Sequence, residues 1–118
     1  MIIVHQWMKD RLRLVCLAMG VSVEEVLTLS CTGRVVRGPF GRFATVRAIT
    51  AYLMRVAPHG VKPSWWEVAA ALGFGSHSSA INACRSVETD PELLAKARRI
   101  ADAIGVKVPR GSMETPAA

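Results

Sequence analysis

Short hydrogen-bonding side chains are concentrated in residues 76–86 of the chain. They are four serines, a histidine, an asparagine and an arginine: Ser76, His77, Ser78, Ser79, Asn82, Arg85 and Ser86. An asparagine can bind adenine through two hydrogen bonds, an arginine can bind guanine in the same way, and a serine can pair with either base. The chemistry that this stretch could carry is therefore recognition of base edges in duplex DNA.

His77 is also a residue type that serves as a base in catalysis, but its surroundings do not fit that role. A nucleophile needs a base within reach, and the base needs an orienting partner. Serines next to one another on a helix point in different directions, and no acidic residue follows His77 by three or four positions. We therefore predict that the protein is not an enzyme and takes neither a cofactor nor a small-molecule substrate.

Length and composition limit the class of protein. The 118 residues, of which 51% are hydrophobic, suffice for one domain with one core. The three cysteines are odd in number and widely spaced, which is typical of a reduced cytosolic chain. Neither they nor the three histidines have the spacing of zinc ligands. No window of about 18 apolar residues is present, so we predict no membrane span, no metal site and a cytoplasmic location.

The net charge of +6 comes from one part of the chain. Residues 1–25 and residues 67–118 each contain equal numbers of basic and acidic side chains, whereas residues 26–66 contain no acid. The basic residues of this middle segment are Arg34, Arg37, Arg42, Arg47, Arg55 and Lys62. A segment of one sign predicts contact with a polyanion such as nucleic acid or anionic lipid. The alternative is a solvated loop that only keeps the protein soluble.

The elements that must position residues 76–86 are predicted to be helices. Residues 64–67 (SWWE) form a capping box that starts a short helix, residues 73–75 (GFG) form a tight turn, and Ser76 caps a helix that runs to about Glu88. The predicted inward positions are Val68, Leu72, Ala80, Cys84 and Val87. Two capped helices joined by a glycine turn predict a helix-turn-helix, whose second helix enters the major groove by its N-terminal end. The alternative is an ordinary corner between two helices.

The rest of the chain also predicts helices. Apolar residues recur at helical spacing in three further stretches, and the predicted inward positions are Ile3, Trp7, Leu14 and Ala18, then Val46, Ile49, Leu53 and Val56, then Leu93, Ala97, Ile100 and Ile104. A second capping box, residues 22–25 (SVEE), opens a short helix. The predicted architecture is all-α, with about six helices in one domain over residues 1–107, a basic loop at 30–43 and a frayed tail at 108–118.

Residues 21–88 resemble the C-terminal DNA-binding domain of the bacterial replication initiator DnaA. Residues 21–27 (VSVEEVL) look like the helix before that family's basic loop, and residues 66–73 (WEVAAALG) look like the first helix of its helix-turn-helix. Residues 76–85 (SHSSAINACR) look like its signature, which usually begins Asp-His-Thr-Thr-Val and ends near Ala-Cys-Arg-Lys. The histidine and the Ala-Cys-Arg run match as written, and serines replace the aspartate and both threonines.

The resemblance implies a helix-turn-helix of the Trp-repressor type that binds duplex DNA. It implies base contacts by His77, Ser78 and Ser79, to which we add Ser76, at the family's aspartate position, and Asn82, on the same helix face. The implied contacts to the DNA backbone or minor groove are Arg34, Arg37, Arg42, Arg47 and Arg85. The chain has no P-loop glycine pattern, so we expect a role in replication or transcription control without ATPase activity.

Two adjacent tryptophans leave a second function open. Neighbouring residues of one helix cannot both face the same core, so either Trp65 or Trp66 could be exposed and anchor a protein partner or a second copy of the chain. The N-terminal helix has its own apolar stripe and must pack somewhere, so we expect it to cover the exposed ring. The alternative to DNA binding is a protein-interaction regulator or dimerisation module that keeps the fold without using DNA.

Overall fold

The computed structural model describes residues 4–28 and 41–108 of the chain. Within these residues the fold is all-α, as predicted. The helices are α1 (Gln6–Met19), α2 (Val23–Thr28), α3 (Gly41–Val56), α4 (Trp65–Leu72), α5 (His77–Thr89) and α6 (Pro91–Ile104). Most of the predicted basic loop lies outside the described residues, but its last three positions, 41–43, are the first turn of α3.

Helix α3 forms the centre of the fold and contacts each of the other five described helices. Residues 46–54 are all buried, so this part of the helix has no face on solvent. Val46, Ile49 and Leu53 of the predicted inward stripe are fully buried, and Val56 is half-buried. The other five helices pack around α3, which thereby positions α4 and α5, the two helices of the predicted helix-turn-helix.

Capping side chains set the helix boundaries where the sequence predicts them. The Ser64 hydroxyl accepts from the backbone N–H of Glu67 at 3.1 Å, and a Glu67 carboxylate oxygen accepts from the backbone N–H of Ser64 at 2.8 Å. These two bonds close a capping box at the start of α4. Asp90 caps α6 by accepting from two backbone N–H groups of its first turn. Ser22 accepts from one backbone N–H of α2 at 3.4 Å.

The inward face of α1 differs from the prediction. Its buried residues are Met8, Leu12, Val15 and Cys16. The predicted Leu14 and Ala18 are exposed, Trp7 is half-buried, and Ile3 lies outside the described residues. Because residues 14–19 (LVCLAM) are apolar on every side of the helix, their spacing fits more than one face, and contacts with α3 and α6 decide which face is buried.

The C-terminal part of the domain extends further than predicted. In α6, Ala97 and Ile100 are buried as expected, whereas Leu93 is only half-buried. Val106 and Val108 follow the helix and pack against the core, so the predicted frayed tail cannot begin before residue 109. Residues 109–118 lie outside the described part of the chain. No helix within the described ranges is long and apolar enough to cross a membrane.

Candidate nucleic-acid interface

The turn between α4 and α5 has the predicted glycine and a buried anchor. Gly73 ends α4 with φ of 74°, in the left-handed region that an L side chain enters only with strain. The next residue, Phe74, donates its backbone N–H to Ala69 O at 2.9 Å, and its ring is buried. The buried ring fixes the turn against the core and thereby sets where α5 begins.

Ser76 and Ser79 organise the first turn of α5. The Ser76 hydroxyl accepts from the backbone N–H of Ser79 at 3.3 Å, and the two hydroxyl oxygens are 3.2 Å apart. Both side chains are half-buried. Ser76 therefore caps α5, and Ser79 supplies the backbone N–H that it accepts from, an arrangement that needs no ligand. The remaining N–H groups at this helix end, together with the helix dipole, favour a nearby anion.

Three polar side chains form an exposed row along α5. Ser78, Asn82 and Arg85 are all exposed, and their spacing of four and three residues places them on one helix face. Among the residues that the structure describes, none of these three side chains makes a hydrogen bond or an ion pair. Three donors or acceptors on a free helix face are thus available to a ligand. We call Ser78, Asn82 and Arg85 the polar row.

The opposite side of α5 is buried, and it includes Cys84 as predicted. Burial raises the pKa of the Cys84 thiol to about 12, and the carboxylate of Glu88, 3.6 Å from its sulfur, acts in the same direction. The thiol stays protonated at neutral pH and is not a nucleophile. In residues 4–28 and 41–108, no three His, Cys, Asp or Glu side chains are grouped to hold a metal ion.

His77 stacks on Trp66 beside the start of the polar row. Their ring centroids are 4.3 Å apart, with the ring planes tilted by 39°. Trp66 is 53% exposed, so the expectation that α1 covers the exposed tryptophan is wrong. Trp65 packs against the core instead, with the Arg55 guanidinium 4.0 Å from its ring centroid. Trp66 thus belongs to the candidate interface. Its pairing with His77 does not follow from the sequence, because it depends on how the turn between α4 and α5 places the two helices.

The predicted DNA contact by Arg47 is wrong. This side chain is 2% exposed. Its Nε donates to the carbonyl oxygen of Leu72 at 3.2 Å, and one of its terminal nitrogens donates to the carbonyl oxygen of Val26. Leu72 is the last residue of α4, where carbonyls have no partner within the helix. Arg47 therefore joins α2, α3 and α4 from inside and is not available to DNA.

The other predicted basic contacts differ in position. Arg42, in the first turn of α3, and Arg85, in the polar row, are exposed. Arg34 and Arg37 lie outside the described residues, so their contacts remain predictions. Arg55, a basic residue of the acid-free segment that is not among the predicted DNA contacts, donates to Pro63 O at 2.5 Å and therefore acts within the fold.

The N-terminus of α4 is tied to the start of α1. His5 Nε2 lies 3.2 Å from a carboxylate oxygen of Glu67. The hydrogen bond from the Ser64 backbone N–H lowers the pKa of the Glu67 carboxyl, and His5 lowers it further. The residue that precedes α1 thus contacts the capping box of α4, while Trp66 of the same helix stays 53% exposed.

Comparison with known proteins does not identify the chain. No protein-family model matches it, and no curated protein or solved structure matches it. The resemblance to the DnaA domain therefore stays a prediction that rests on residues 21–88 themselves.

Proposed function

We propose that the protein binds duplex DNA in a sequence-specific manner, with the N-terminal half of α5 in the major groove. The observation that carries the proposal is the polar row, which offers a hydroxyl, an amide and a guanidinium on one exposed helix face. The hydroxyl and the amide match the hydrogen-bonding patterns of base edges, and the guanidinium suits a phosphate. None of the three groups makes a hydrogen bond elsewhere in the described residues.

His77, Ser78 and Asn82 are the proposed base contacts. Trp66 limits the freedom of His77 by stacking on one face of its ring, so less entropy is lost when the imidazole meets a base. Ser76 and Ser79 act indirectly, since they fix the first turn of α5 and the direction of its free N–H groups.

Arg42 and Arg85, together with Arg34 and Arg37, are the proposed contacts to the DNA backbone and minor groove. Cations that neutralise phosphates supply affinity that depends on salt and not on sequence. Arg47 is not included because it is buried. The resemblance to the DnaA domain supports a Trp-repressor-like helix-turn-helix that acts in the cytoplasm, on the nucleoid, in replication or transcription control without ATP hydrolysis.

Selection from a random duplex library tests the proposal. We expect the wild-type chain to enrich one sequence motif, and Asn82→Ala to change the preferred base at one position of it. Lys107→Ala is a matched control, because it removes a side chain that is exposed and lies outside both site helices. Failure of the wild-type chain to shift any duplex at low salt would exclude DNA binding.

A protein-interaction function is the second candidate, and the exposure of Trp66 favours it. An exposed tryptophan is a common anchor of protein interfaces, and this ring is 53% exposed. In this case the chain would act as a regulator or as a homodimer that does not use DNA. Sedimentation of the wild type and Trp66→Ala at several concentrations tests the dimer, which requires self-association that the variant loses.

A further inference from the structure

Three cations from different parts of the chain meet at an open groove between α1, α3 and α6. The groove has a volume of about 440 Å³ and is lined by Ala18, Met19, Arg42, Lys96, Arg99 and Ile100. Arg42 belongs to the acid-free segment 26–66, whereas Lys96 and Arg99 belong to the segment whose charges balance. The fold therefore extends the basic surface onto a helix that the charge distribution along the sequence does not single out. We call these three cations the groove cations.

The groove cations are free to bind an anion. All three side chains are exposed, and within the described ranges none of them makes a hydrogen bond or an ion pair. The floor of the groove is apolar, formed by Ala18, Met19 and Ile100. The groove therefore presents three positive charges to solvent, and these attract an anion.

Two acidic residues, Asp90 and Glu92, lie to one side of the groove. A neighbouring depression shares Lys96 and Arg99 with the groove, but its remaining lining includes Asp90 and Glu92. An anion is repelled at that side and attracted at the side of Arg42. This arrangement of charges favours a short anionic contact near Arg42, such as a single phosphate, over an extended contact along α6.

We infer that the groove cations bind a phosphate of the DNA backbone, outside the helix-turn-helix. The inference rests on the proposed function and extends the DNA-contacting surface to α6. A nucleic acid is favoured over an acidic protein segment because Arg42 follows Arg34 and Arg37 in the sequence, within the acid-free segment that carries the charge excess. An arginine guanidinium can donate two hydrogen bonds to the oxygens of one phosphate, and this geometry suits a contact made by Arg42 and Arg99.

The test measures how DNA affinity depends on salt. The duplex selected by the wild-type chain is titrated at several NaCl concentrations with wild type, Lys96→Gln/Arg99→Gln, and the control Lys9→Gln/Lys107→Gln. The control removes the same charge from exposed positions outside the groove. Each lost phosphate contact makes the negative slope of log K against log salt shallower by about 0.9. We expect the slope of the groove variant to become shallower by about 0.9, because its one phosphate contact is lost. The base preference should stay unchanged, and the slope of the control should change clearly less.

Two results would overturn the inference while leaving the proposed function intact. One is a groove variant whose slope equals that of the control. The other is unchanged DNA binding combined with loss of binding to a poly-glutamate peptide, which would assign the groove to an acidic protein segment. Failure of the wild-type chain to bind any duplex would remove the proposed function and this inference together. Because all substituted side chains are exposed, circular dichroism should show the same helix content in every variant.

Discussion

Helices α3 and α5 both carry arginine, but they use it in opposite ways. In α3, Arg47 is buried and donates to backbone carbonyls of two other helices, and Arg55 donates to Pro63 O while covering Trp65. In α5, Arg85 is exposed, and its side chain makes no hydrogen bond or ion pair within the described residues. The guanidinium groups of α3 beyond its first turn thus stabilise the fold, whereas that of α5 is available to a ligand.

The difference shows that a charge excess along the sequence is not the same as a charge excess at the surface. Of the six basic residues that produce the net +6, two act inside the fold. The structure adds Lys96 and Arg99 to the surface beside Arg42, although their segment is neutral overall. The proposed electrostatic affinity for DNA therefore comes from fewer residues of the basic segment than its charge suggests. Lys96 and Arg99 of α6 contribute to it as well.

The largest expected effect is on stability, through Arg47. Arg47→Met keeps much of the side-chain volume but leaves the buried carbonyls of Leu72 and Val26 without their donor. Each unpaired buried acceptor costs about 1–3 kcal/mol, so we expect the free energy of unfolding to fall by about 3 kcal/mol. Urea denaturation followed by circular dichroism measures the loss.

Arg42→Met is the matched control for this prediction. It makes the same substitution on the same helix at an exposed position, where the effect on stability should stay within about 0.5 kcal/mol. For DNA binding we expect the opposite order of effects. The affinity of Arg42→Met should depend less on salt than that of Arg47→Met. Equal stability of the two variants would contradict the structural role of Arg47.

The second effect is on DNA recognition, through the polar row of α5. Asn82→Ala should change the preference at one base pair by about 1–3 kcal/mol, while Arg85→Ala should weaken binding to all duplexes alike. Neither variant should alter stability by more than about 0.5 kcal/mol, because both side chains are exposed. Binding of each variant to a set of single-base-pair substituted duplexes gives the result. A uniform loss in Asn82→Ala would show that Asn82 does not contact a base.

The helix boundaries around the site could be predicted from the sequence because local chemistry sets them. Ser64 with Glu67, Gly73 and Ser76 each act within a few residues along the chain, so the start of α4, its end and the start of α5 all follow from neighbouring side chains. The buried side of α5 follows in the same way from the helical spacing of its small and apolar residues.

What the sequence could not provide depends on contacts between distant residues. Arg47 meets Val26 and Leu72 across separations of 21 and 25 residues, and nothing in its neighbourhood distinguishes it from Arg42. The exposure of Trp66 depends in the same way on where α1 packs. A side chain whose environment comes from other helices can be assigned to the core or to the surface only after the helices are placed.

A smaller effect is expected from the cap of α5, where fold and site meet. Ser76→Ala removes the hydroxyl that accepts from the Ser79 N–H, and loss of such a cap typically costs about 1 kcal/mol. Ser78→Ala lies two residues further on the same helix, at an exposed position, and serves as the control. Thermal unfolding should place only Ser76→Ala below the wild type. A larger loss of stability in Ser78→Ala would contradict the assignment of Ser76 as the cap.

The smallest effect concerns the carboxylate that starts α4. The hydrogen bond from the Ser64 backbone N–H, helped by His5, holds the folded-state pKa of the Glu67 carboxyl below its usual range. A lowered folded-state pKa stabilises the protein at pH above the unfolded value of about 4.3, and this contribution is lost as the pH falls through the folded value. Glu67→Gln keeps a side chain that can complete the capping box but removes the charge.

We therefore expect Glu67→Gln to be less stable than the wild type by about 0.5 kcal/mol at pH 7, the size typical of an exposed ion pair. The difference should disappear as the pH falls from about 5 to about 3. Urea unfolding at several pH values measures it, with Glu92→Gln in the first turn of α6 as the control. Because Glu67 neighbours Trp66, DNA binding by Glu67→Gln at pH 7 also shows whether the α4 cap affects the candidate interface. A stability difference that persists at pH 3 would show that the amide disturbs the capping box itself. The charge on Glu67 would then not be the cause of the stability that the variant loses.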